Sequence, residues 1–81
     1  MKREIVLIKW LDAKTWSNAW IDEDEVANMA VPICITVGIL QSQNDSQLLI
    51  AQTAADDERR NIIGIPKGCI LSVDKLGAIE I

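Results

Sequence analysis

The run "ICITVGILQSQ", residues 33–43, constrains this chain more than any other. It is rich in Ile, Val, Leu and Thr, and it reads as one long strand. Gly38 interrupts it midway and marks a bend or a close backbone approach, as barrel corners require. Pro32 stops whatever precedes the strand and biases Val31 towards an extended conformation. "NDS" (44–46) is a turn and "QLLIAQTA" (47–54) a returning strand, so 33–54 forms an antiparallel hairpin.

The other segments fit around that hairpin. "EIVLIKW" (4–10) is a strand whose more buried face carries Val6, Ile8 and Trp10, with Ile5, Leu7 and Lys9 on the other. "LDAKTWSNAW" (11–20) is a loop or irregular turn, and Trp16 and Trp20 would share a face if it were helical. A helix is expected over about 22–30, capped by Asp22, with Glu25 reaching back and Ile21 stapled to Val26. Glu23, Asp24 and Glu25 favour the positive end of its dipole. Val26, Met29 and Ala30 form its core-facing stripe. "ADDERRN" (55–61) reads as a charged loop, "IIGI" (62–65) as a strand, "PKG" (66–68) as a tight turn and "CILSVDKL" (69–76) as a last strand. "AIEI" (78–81) extends that strand or pairs with a neighbour.

With 81 residues the chain is a single domain, 1–81, of a size that buries only about 60% of its unfolded surface. Yet 49% of it is hydrophobic, more than one small core hides, so burial against further copies is expected. The fold class expected is mainly β with one short helix: a small, strongly bent antiparallel β-barrel, closed because so apolar a chain tolerates few free edges.

Composition excludes much chemistry. There is no histidine, so His-dependent triads, general bases and metal sites are absent. Cys34 and Cys69 lie in apolar runs and read as reduced core thiols of a cytosolic protein, a disulfide between them being the alternative. Neither has a base to activate it. The acidic stretch Asp22–Glu25 lacks the spacing and glycine of a calcium loop, and helix capping accounts for it. No metal, cofactor or catalytic residue is assigned, and the chain reads as a binding protein, not an enzyme.

"NIIGIPKGCI" (61–70) invites comparison with a phosphate-cradling loop. Such a loop needs Gly-Lys-Ser/Thr opening a helix. Here Lys67 precedes Gly68, no hydroxyl follows and the next residues are a strand. The stretch is instead a corner, with φ set by Pro66 and a positive φ expected at Gly68. Lys67 stands at its tip, solvated or in contact with an anion. Arg59 and Arg60 pair within their own loop or face a phosphate. Trp10 belongs to the core. Trp16 and Trp20 pack over the open end of the barrel or stack on a flat ligand.

Net charge is −4, which exerts no long-range pull on nucleic acid. DNA is not expected, and RNA requires a local basic patch. The longest apolar stretch, residues 30–40, is too short to span a bilayer, and no cleavage site follows the N-terminal strand. No membrane partner is expected, and the setting read from these features is the cytoplasm.

Two resemblances add to this reading. "VGILQSQNDSQLLIAQTAADDE" followed by "IIGIPKGCILSVDKL" resembles the bipartite pattern of the Sm-like fold. Gly38, Asp45 and Leu48 fall at that pattern's glycine, aspartate and apolar strand. "PKG" stands where the family carries the Arg-Gly signature of its RNA pocket. This resemblance implies a small bent β-barrel and, as one alternative function, a ring that binds single-stranded RNA. The chain as a whole is similar to short proteins of tailed bacteriophages, with a strand ending in Trp10, an acidic helix, "VG" before apolar residues and "IPKG" near the end. That similarity implies a phage or prophage origin and residence in the bacterial host's cytoplasm.

The function expected is a homo-oligomer that sequesters a small anionic, nucleotide-like ligand of host defence signalling between its subunits. Arg59, Arg60 and Lys67 would meet phosphate, and Trp16 or Trp20 the base. A module that docks on a host protein through its tryptophans is the other alternative.

Overall fold

The computed structural model describes residues 1–16 and 20–81. In chain order they form β1 (Lys2–Leu11), α1 (Glu23–Ala27), β2 (Ile33–Gln43), β3 (Gln47–Ala55), β4 (Glu58–Pro66), a 3-10 turn (Lys67–Cys69) and β5 (Ile70–Glu80). The five strands make one antiparallel sheet in the order β4-β3-β2-β1-β5. β4 and β5 are its outer strands and do not pair with each other, so the sheet is open where a closed barrel was expected. The 3-10 turn carries the chain from one outer strand to the other.

β2 changes partners along its length. Residues 33–39 pair with β1, whereas 39–43 pair with β3. The change falls at Ile39, which pairs with both Ile5 and Ala51, next to the buried Gly38. A bulge at Gln41 and two register shifts between β1 and β5 add curvature. Val6, Ile8, Leu48, Ile50 and Ile65 are buried on the concave side, with Trp10, Leu40, Ile63 and Ile70 packed around them. The alternation in β1 therefore places Val6, Ile8 and Trp10 inward, as its pattern requires.

Several expectations are corrected. The helix is five residues, not 22–30, and buries none of them. Asp22 is its N-cap residue but makes no side-chain cap bond, and Val26 is 53% exposed, so neither staple nor core stripe exists. Apolar residues at helical spacing bury themselves only if another element faces them. Trp20 is fully exposed and Trp16 is 38% exposed; neither is among the residues packed against the core. The rest of the 11–20 loop reading divides: Leu11 closes β1, and residues 17–19 lie outside the described residues.

The charged loop 55–61 is a two-residue turn, Asp56-Asp57, flanked by strand, with Asp56 at φ 53°. An outer strand has solvent beside it, so Glu58 and Arg60 remain hydrated while pairing with β3. The turn expected at 66–68 is a 3-10 turn at Lys67–Cys69, with Pro66 closing β4, and Gly68 does not have positive φ. β5 runs unbroken through 78–80.

Candidate functional site

Arg59 and Arg60 stand near the tip of the β3–β4 hairpin, opposite Ala54 and Thr53. As consecutive strand residues they point to opposite faces. Arg59 is half-buried: its Nε donates to Gln41 Oε1 at 2.9 Å, and its Nη1 to the carbonyls of Asp56 (3.2 Å) and Glu58 (2.8 Å). Arg60 is exposed. Both line an open cavity of about 290 Å³ with Thr53, Ala55 and Glu58.

Arg3 joins this neighbourhood, which sequence reasoning missed. Its Nη1 donates to the Gln41 carbonyl at 2.7 Å, while its Nε is buried without a partner. Gln41 occupies the bulge of β2, so its backbone needs a partner from outside the ladder. Only the register of β1 on β2 brings Arg3 there; nothing local in "MKRE" signals it. Among the described residues the ion pairs are Met1 with Glu80 and Lys75 with Glu4, so none of Arg3, Arg59 and Arg60 meets a carboxylate within 4.0 Å.

The remaining site candidates lie elsewhere. Lys67 follows the far end of β4, about 20 Å along the strand from Arg60; its backbone N–H donates to the Ser46 carbonyl at 2.8 Å. Trp16 and Trp20 belong to the segment between β1 and β2, where Lys14 Nζ lies 5.0 Å from the Trp16 ring centroid. Within one chain, then, Arg59 and Arg60 share a cavity, while Lys67 and the tryptophans stand apart from it.

A second cavity, about 220 Å³, opens beside the core among Thr36, Val37, Ile50, Gln52, Asn61 and Ile63. Thr36 Oγ1 accepts from Trp10 Nε1 at 3.0 Å, and Asn61 Nδ2 donates to Gln52 Oε1 at 3.1 Å. Cys34 and Cys69 are both free and half-buried. Among the described residues no helix is long and apolar enough to cross a membrane.

No protein family, curated protein or solved structure matches the chain.

Proposed function

We propose that the chain is a non-enzymatic binding protein that holds a small anionic, nucleotide-like ligand and works as a homo-oligomer. The observation that carries this reading is the open cavity lined by Thr53, Ala55, Glu58, Arg59 and Arg60, where the exposed Arg60 guanidinium has, among the described residues, no carboxylate within 4.0 Å. A phosphate offers such groups charge-assisted, bidentate bonds. Arg3 adds positive charge through the same Gln41. Lys67 and one tryptophan, Trp16 or Trp20, complete the site in this reading only from a neighbouring subunit. The bend at Gly38 and the late strand-turn-strand support an Sm-like scaffold whose five-stranded sheet is open. The resemblance to short phage proteins read from the sequence implies sequestration of a host defence signal in the bacterial cytoplasm.

Titration calorimetry with inorganic phosphate, a mononucleotide, a cyclic dinucleotide and oligouridine tests this reading. Saturable binding of a nucleotide, weakened at least tenfold by Arg60→Ala, is expected. Absence of heat with the first three probes overturns it, and binding of oligouridine alone favours the single-stranded RNA alternative. The full exposure of Trp20 favours one second reading, a module that docks on a host protein and inhibits it.

A further inference from the structure

Residues 20–32 form an arm that leaves the sheet where Leu11 pairs with Ile33, its base pinned by the Asp12 N–H on the Pro32 carbonyl at 3.2 Å. The molecule is 53 Å long and about 22 Å across. An eleven-residue strand spans about 36 Å, so the molecule is longer than its longest strand. Its five-residue helix is far below the 12–15 residues at which isolated helices become even marginal. Tertiary packing must hold such a helix, yet its own chain buries none of it.

An apolar face lies beside the base of this arm. Ile33, Ile35 and Val37 project from one side of β2 and are 63%, 63% and 50% exposed. Their partners on β1 are Leu11, Lys9 and Leu7. Lys9 is exposed and, among the described residues, meets no carboxylate; Asp74 stands at the margin opposite Leu7. The arm supplies the complement: Asp22, Glu23, Asp24 and Glu25 with no basic residue in the helix, and the exposed Trp20, Val26 and Val31.

We propose that two copies dimerise reciprocally, each laying its acidic, tryptophan-bearing arm on the Ile33-Ile35-Val37 face of the other, with the arm carboxylates around Lys9. This interface deepens the homo-oligomer reading above and rests on it. Every copy carries both halves, so a two-fold axis makes two identical contacts. Trp20 alone offers about 250 Å². With the half-exposed aliphatic residues of arm and face, two such contacts reach the scale of the roughly 1,600 Å² that a stable interface buries.

Size-exclusion chromatography with light scattering on the full chain, without ligand, tests the interface. A dimer is expected, and Trp20→Asp or Ile35→Lys should each give monomers with unchanged β-type circular dichroism. An equimolar mixture of those two variants should associate more strongly than either alone but less than wild type, because it retains one intact arm and one intact face, half of the interface. If Ile35→Lys misfolds, Lys9→Glu on the same face replaces it and should weaken dimerisation at least tenfold. A monomeric wild type, dimers that survive either substitution, or a mixture that associates no more than each variant alone overturns the proposal. These measurements use no nucleotide, so failure of anion binding leaves the interface standing, and the reverse.

Discussion

A methyl group placed on Gly38 would stand 2.5 Å from Cγ2 of Ile50 and 2.8 Å from the Ala51 carbonyl oxygen. Strand β3 thus crosses β2 at a separation that only glycine permits, next to the point where β2 changes partners. Ile50 is 1% exposed, and the Ala51 carbonyl oxygen is a backbone atom held in the sheet, which cannot swing aside as a side chain can. Gly38→Ala is therefore expected to cost about 3 kcal/mol through overpacking. Thermal denaturation should show a fall in Tm of more than about 10 °C. An unchanged Tm would mean that the two strands are not in this contact.

Gly68 provides the contrast. A Cβ there meets nothing within 4 Å, and no glycine of the chain has positive φ. Gly68→Ala should be tolerated and should stabilise by about 0.4–1 kcal/mol, because alanine restricts the unfolded chain. A small rise in the urea midpoint is expected. Marked destabilisation would place a left-handed residue at this corner after all.

Trp10 and Thr36 are joined by an indole-to-hydroxyl bond of 3.0 Å in a half-buried position. Thr36→Val keeps the shape of the side chain and strands the indole N–H. The cost should be about 1 kcal/mol, read as a lowered urea midpoint with an unchanged m-value.

Arg59 and Arg60 should separate stability from binding. Arg59 holds three acceptors, from Gln41, Asp56 and Glu58; Arg60 is exposed. Arg59→Ala is expected to lose about 1–2 kcal/mol of stability. Arg60→Ala should leave the melting curve within about 0.5 kcal/mol of wild type and show its effect only in calorimetry with anions. Equal destabilisation by the two would refute the division of roles, and the double variant should show both effects together.

The hairpin of β2 and β3 was legible because its signals are local: a β-branched run, a bend glycine and an Asn-Asp-Ser turn. Arg59 and Arg60 were legible as adjacent cations but not as residues of unlike burial, since β4 begins inside what reads as a charged loop. Charge signals a loop only where both faces would otherwise be dry, and an outer strand keeps one edge wet. Arg3 was invisible for another reason. Its partner, Gln41, is 38 residues away, and the register of two strands alone brings them together.

What the residues determined without help was backbone preference: where strands run, where Pro32 ends a segment, and that Val6, Ile8 and Trp10 share one side. These follow from sterics and from the period of two in a strand, both properties of neighbours in the chain. Tertiary structure alone decided burial and company. The expected stripe of Val26, Met29 and Ala30 does not form, because the helix ends at Ala27 and Val26 stays 53% exposed, and Trp20 stays in water. Spacing aligns side chains on a face; whether that face becomes dry depends on what another element, or another copy, brings against it.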